Sequence, residues 1–209
     1  MRKTGYIAAG VILVCAAFLL GAAGAAAQES GVSRVGAFEH LDAPRIGLPD
    51  DAGEAPMREL CPDVSDMCER YWAYTGYFVR NATIPERHRE LLILRTAWLS
   101  RGDYIWGRHD VIGKEAGLTA EEIARVTAGP DAPGWDDFER ALLAAADELH
   151  GSRFISDATW NVLAAGYTDD ELRQVVLIVG NYTQLAMMQN TLGAQLPAGS
   201  PRLPADDGR

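Results

Sequence analysis

The chain has 209 residues, with 29 Asp and Glu against 19 Lys and Arg, for a net charge of −10. An acidic surface repels phosphate backbones, so the composition argues against a nucleic-acid partner. Hydrophobic residues make up 48% of the chain, enough at this length for one sizeable core.

At the N-terminus, Arg2 and Lys3 precede an apolar run from Ile7 to Leu20 and a small-residue stretch ending Ala25-Ala26-Ala27. A basic start, an apolar run of about 14 residues and an A-x-A site read as a secretory signal. The run is short for a bilayer span of about 20 residues. Residues 1–27 are therefore expected to be cleaved, leaving a periplasmic or secreted protein with no membrane attachment. Cleavage would remove two basic residues and no acid, making the rest still more acidic. Residues 28–60, rich in Gly, Pro, Asp and Ala, read as an irregular arm. Residues 61–196 read as one helical domain, and 197–209 (PAGSPRLPADDGR) as a disordered tail.

Cys61 and Cys68 are the cysteines beyond the signal. Export permits a disulfide. Seven residues along a straight helix separate Cα atoms by roughly 10 Å, too far to bridge. Pro62 suggests that Cys61 sits ahead of the helix, where the chain can bend back, and a Cys61–Cys68 disulfide is the expectation. A redox pair would need C-x-x-C spacing.

Within the domain the hydrophobic period is helical and strand alternation is absent. Helices are predicted over about 65–80, 85–100, 103–116, 119–127, 136–150, 156–165 and 169–193. The second contains ELLILRTAWL, apolar nearly all round and so expected to be buried. Thr119 with Glu122, and Thr168 with Glu171, have capping-box spacing. These two helix starts lie in an internal echo, A-G-x-T-x-acid-E-aliphatic-x-x-V at 116–126 and 165–175. It reads either as a duplicated unit or as one capping phrase used twice.

Two residues are out of place on this pattern. His109 lies in an apolar stripe with Ile105, Ile112, Gly113 and Ala116, near Tyr104, Trp106 and Arg108. Glu90 opens the most apolar run, where a carboxylate needs a partner or a raised pKa. Histidine titrates in the range useful for proton transfer. The remaining histidines, His40, His88 and His150, have structural readings, His150 as a helix C-terminal residue whose positive form the dipole favours. Arg95 reads as an ion-pair partner or an anion-binding group. In a plain helical hairpin Glu90 and His109 would miss each other by roughly 8 Å at 1.5 Å per residue. Their pairing needs a skewed packing, a bridging water or a neighbouring subunit. No metal-ligand spacing, nucleotide loop or nucleophile elbow occurs, so neither a metal nor a cofactor is expected.

The stretches RELLILRTAW (89–98), YIWGRH (104–109) and EAGLTAEEI (115–123), with NYTQLAMMQN (181–190) closing the domain, resemble the carboxymuconolactone decarboxylase family over about 70–196. The resemblance implies an all-α bundle of the alkylhydroperoxidase D-like type and a homo-oligomer. The family's peroxidase branch carries C-x-x-C before the histidine. Counted back from His109, those positions fall on Gly102 and Ile105, and the glutamate position falls on Glu90. Thiol peroxide reduction needs a thiolate and has none here. The decarboxylase-like branch has Tyr-Glu-Trp where this chain has Tyr104-Ile105-Trp106, so an apolar residue replaces an acid. The expectation is acid–base chemistry on a small carboxylated or lactone-like substrate by a lyase or isomerase. His109 and Glu90 would be catalytic, and Tyr104, Trp106 and Arg95 would bind substrate. The alternative is a non-catalytic binding or assembly protein on the same fold, favoured by Ile105.

Overall fold

The computed structural model describes residues 40–46, 60–62 and 65–205. The expected signal (1–27), most of the expected arm and the last four residues lie outside the described residues. Among the described residues seven helices follow in order: α1 (Asp66–Arg80), α2 (Glu86–Leu99), α3 (Asp103–Glu115), α4 (Ala120–Val126), α5 (Asp137–Ser152), α6 (Asp157–Gly166) and α7 (Asp169–Leu192). No strand occurs among the described residues. The architecture is all-α, and each helix falls within two residues of its predicted bounds.

Local chemistry sets these bounds. Thr119, Asp136 and Thr168 each close a reciprocal capping box with a glutamate three residues on, so orphan N–H groups are satisfied at three helix starts. Both halves of the internal echo are such boxes, one opening a helix of 7 residues and the other a helix of 24. That disparity supports a reused capping phrase over a duplicated unit.

Helix α2 is the axle of the bundle. Every residue from Arg89 to Ala97 is buried, as expected of a helix apolar nearly all round. It packs against α3, α4, α5 and α7. The core around it includes Leu91, Leu94, Ile105, Leu142, Val175 and Ile178. The turn from α2 to α3 passes through Arg101 at φ 52°, a left-handed conformation uncommon for a non-glycine residue.

Cys61 and Cys68 are joined in a disulfide, with their Cα atoms 5.3 Å apart. The Trp72 indole donates to the Cys61 carbonyl at 2.6 Å, holding the bridge against α1.

The tail departs from the sequence expectation of disorder. Across 197–205 it lies along the first two turns of α3. The Leu203 N–H donates to Asp103 Oδ1 at 2.8 Å, and Arg202 pairs with the other oxygen of Asp103 at 2.7 Å. A Cβ at Gly107 would come within 2.5 Å of the Pro201 carbonyl oxygen, so only glycine admits the tail there. Pro- and Gly-rich composition lowers local structure but does not prevent docking onto a prepared groove. The arm is seated similarly. The Arg45 N–H donates to the Leu192 carbonyl at 2.9 Å, and the Gln195 amide to the Leu41 carbonyl at 2.8 Å. Gly193, at φ 81°, caps α7 where a Cβ would meet the Ala43 carbonyl oxygen at 2.6 Å.

Candidate active site

Glu90 on α2 and His109 on α3 are in direct contact. His109 Nδ1 lies 2.6 Å from Glu90 Oε2. Neither a bridging water nor a second subunit is needed. Glu90 stands about 12 residues before the turn and His109 about six after it, so a direct bond requires α2 and α3 to cross askew rather than run side by side. Glu90 is 0% exposed and His109 7%. Glu90 is therefore no solvated acid serving the start of its helix.

The second Glu90 oxygen accepts from Arg89 Nε at 2.9 Å. Burial opposes the charged form of Glu90. The hydrogen bond and charge of His109, then those of Arg89, outweigh it and hold the carboxyl below its ordinary pKa. A carboxylate only accepts, so His109 donates through Nδ1. That fixes the ring's orientation and leaves Nε2 as the nitrogen able to exchange a proton with another molecule.

The aromatic group facing the histidine is Tyr182 of α7. Its ring stands edge-on to the imidazole at 5.1 Å and 87°. Burial, then the charge of Glu90, push its hydroxyl pKa up, so it remains a neutral phenol. Sequence reasoning missed this residue. Its signal was the buried stripe Ile178, Tyr182, Leu185, Ala186 and Gln189, which places a tyrosine in the core beside two amides, Asn181 and Gln189.

The other expected site residues have contacts of their own. Trp106 is buried against Trp98, with ring centroids 6.4 Å apart. Tyr104 lines a small polar cleft of about 20 Å³ with His40, Gln189 and Arg202 among others. Arg95 is held in an ion pair, one of the two readings the sequence allowed. It grips both oxygens of Asp147 at 2.5 and 2.9 Å and donates to the Val126 and Thr127 carbonyls at 2.8 Å. From Glu90, five residues along a helix turn a side chain by roughly 140°, so Arg95 faces α4 and α5. Cys61 and Cys68 stand at the head of α1, and the glutamate–histidine pair on α2 and α3.

Gly102 and Ile105 lie in the wall next to His109. Ile105 is buried, and a Cβ at Gly102 would touch the Ile105 and Ala186 side chains. The thiol positions of the peroxidase branch are thus filled by apolar packing. An apolar cavity of about 530 Å³ opens on α6 and α7, lined by Trp160, Leu172, Val176 and Leu177 with Asp169 and Arg173. A second, of about 200 Å³, lies between Trp98, Leu99, Arg101 and the tail residues Leu203 and Pro204. Neither Glu90 nor His109 lines these two cavities or the Tyr104 cleft.

Among the other histidines, His88 contacts the Tyr167 hydroxyl at 2.7 Å and stacks on Phe138. For His150 the expected dipole preference is overruled. Burial, then the Arg153 charge, lower its pKa.

Residues 62–148 match the carboxymuconolactone decarboxylase family. No curated protein sequence matches the chain. Several solved structures share the fold. One is a protein of unknown function from Agrobacterium tumefaciens, described as an antioxidant defence protein of the AhpD type. It is 19% identical at TM-score 0.59 over 65% of this chain and 94% of that one. A peroxidase-related protein from Silicibacter sp. is 14% identical at TM-score 0.60 over 78% and 96%. The debrominase Bmp8, as a cysteine-to-alanine variant with 2,3,4-tribromopyrrole, is 12% identical at TM-score 0.60 over 77% and 95%. At these identities the likeness is one of fold. Through the segment that holds both Glu90 and His109, the chain matches the carboxymuconolactone decarboxylase family, and its fold is AhpD-like.

Proposed function

We propose that the protein performs cofactor-free acid–base chemistry on a small carboxylated or lactone-like molecule, as a lyase or isomerase. The carrying observation is the buried 2.6 Å bond from Glu90 to His109 Nδ1. It orients the imidazole and leaves Nε2 to give or take a proton beside a substrate carbonyl. His109 is the catalytic residue of this reading, and Glu90 is a positioning residue that holds the ring. Ionised Glu90 keeps that role down to acid pH, because its carboxyl pKa lies below the ordinary value. The sequence supports export, with residues 1–27 as signal and a periplasmic or secreted product; N-terminal sequencing should begin at Gln28.

A homo-oligomer is part of the proposal. The outer face of α7 exposes Val176, Leu177 and Met187, and a Cβ at Gly180 between them would meet nothing within 4 Å. An unpartnered apolar face of this kind suits a second copy of the chain. Light scattering at low micromolar concentration tests it, and a monomer there would refute it.

A specific observation favours the second reading, a non-catalytic binding or assembly protein. Ile105 stands buried where the decarboxylase-like branch has its acid, and neither Glu90 nor His109 lines the three cavities described above. A thermal-shift screen of lactones and aromatic-degradation acids, run on the wild type and on His109→Ala, finds ligands. Proton NMR in D2O then separates the readings. Under acid–base catalysis the wild type exchanges ligand hydrogens next to the carbonyl and His109→Ala does not. A ligand that binds without exchange or turnover in the wild type sinks the enzymatic reading.

A further inference from the structure

Where α1 meets α7, two buried polar atoms find no partner in the chain, the Tyr71 hydroxyl and Asn181 Nδ2. Asn181 is only 2% exposed. Its Oδ1 accepts from Thr75 Oγ1 at 3.0 Å. Turning the amide by 180° only exchanges which of its atoms bonds Thr75 and leaves the other unfilled. Tyr71 lies one turn before Thr75 on the same face of α1. Burial raises the Tyr71 hydroxyl pKa, and the nearby Thr75 side chain partly offsets this. In the observed orientation Thr75 donates to Asn181 Oδ1, and the tyrosine oxygen is left without a hydrogen-bond partner. Both groups adjoin the candidate active site. Asn181 precedes Tyr182, whose ring stands against His109, and the Tyr182 hydroxyl senses both Glu90 and Tyr71.

Unpaired buried polar groups are rare and mark a bound water, a ligand or a functional role. An amide N–H donates, and a phenol donates or accepts. Together they suit a neutral oxygen with two lone pairs and give no countercharge to a carboxylate. We propose that Tyr71 and Asn181 form an oxygen-binding subsite beside the Glu90–His109 pair, taking a carbonyl or hydroxyl oxygen of the substrate, and a water when substrate is away. This rests on the reading that a small oxygenated molecule reacts at His109. The subsite adds selectivity, because polar groups built to bond a substrate oxygen are left unpaired by an analogue lacking it.

The test uses the full chain, the Tyr71→Phe variant and two probes of like shape, 5-oxotetrahydrofuran-2-carboxylate and cyclopentanecarboxylate. High-resolution crystals should show an ordered oxygen within hydrogen-bond reach of both Tyr71 and Asn181, absent in Tyr71→Phe. Titration calorimetry should show the lactone binding more tightly than the carbocycle. Tyr71→Phe should cut that preference about tenfold, the size of one hydrogen bond, leaving carbocycle affinity unchanged. Removing an unpaired hydroxyl should not lower the melting temperature, so a folded variant is expected; Asn181→Ser offers a second route to the same readout. No oxygen within reach of the two groups, or a preference untouched by Tyr71→Phe, overturns the subsite. An ordered water there with neither probe binding supports the subsite and removes the proposed substrate class instead.

Discussion

Helix α2 carries two buried charged centres five residues apart, and they differ in kind. At Arg95 the charge is consumed: both Asp147 oxygens and two backbone carbonyls accept from one guanidinium. At Glu90 the carboxylate is also fully bonded, to Arg89 and His109, yet its partner is an imidazole with a second nitrogen. The first arrangement ends in the fold. The second passes its polarity on to a group that can exchange a proton. Burial of a charge does not by itself mark a site. The marker is a partner with chemistry left over.

The comparison breaks most sharply under mutation. If His109 is the proton carrier, His109→Gln should reduce turnover of any substrate found by about 10²–10⁴-fold, the usual worth of a general acid or base. The melting temperature should fall far less. Steady-state kinetics with matched melts checks this, and retained turnover would place both centres in the same structural class.

Arg95→Ala should leave the chemistry intact and cost stability, about 3 kcal/mol in denaturant unfolding. Removing one partner strands the other, and the value sits low in the usual range because Asp147 keeps 30% of its side chain exposed. Replacing both Arg95 and Asp147 by apolar residues should recover much of that loss. The Glu90–His109 pair should admit no such rescue of activity.

A pH series gives a smaller effect. Glu122, bound by Arg87 at 2.6 Å, has its carboxyl pKa lowered to about 2 by that hydrogen bond, against the cost of burial. The sign follows from proton uptake. Between about 4.5 and 2 the unfolded chain binds a proton at this position and the folded chain does not. Stability is fully present above 4.5 and is lost as pH falls towards 2. Melting temperatures of the wild type should therefore fall more steeply over this window than those of Glu122→Gln; parallel curves would refute the assignment.

The smallest change expected is for Arg202→Ala. Arg202 keeps 62% of its side chain exposed in its pair with Asp103, and such pairs contribute about 0–1 kcal/mol.

The helices were legible because their signals are local. Capping boxes, Pro85 ahead of α2 and the apolar run of α2 all act within a few residues. Glu90 and His109 were legible as misfits in apolar stripes. Their direct contact was not, because it depends on how α2 crosses α3. The ion-pair partner of Arg95 was not legible for a related reason: Asp147 is 52 residues away, and nothing near Arg95 in the chain announces it. Tyr182 and Asn181 were quoted only within a family-like phrase, since their roles arise where α7 meets α1 and α3. The tail was misread because composition reports what a segment lacks locally, whereas its order comes from Asp103 and Gly107.

Gly107 makes the tail a reporter of local opening. The tail's fastenings to Asp103 and Gly107 sit on the first two turns of one helix, so the segment can lift without the bundle unfolding. Trypsin cleaves after arginine only when the chain is free to extend into its cleft. The Arg202–Leu203 bond should therefore resist digestion in proportion to the closed fraction. A methyl group at position 107, placed against the Pro201 carbonyl, would raise the open fraction and hasten that single cut, while the helices it leaves behind stay intact.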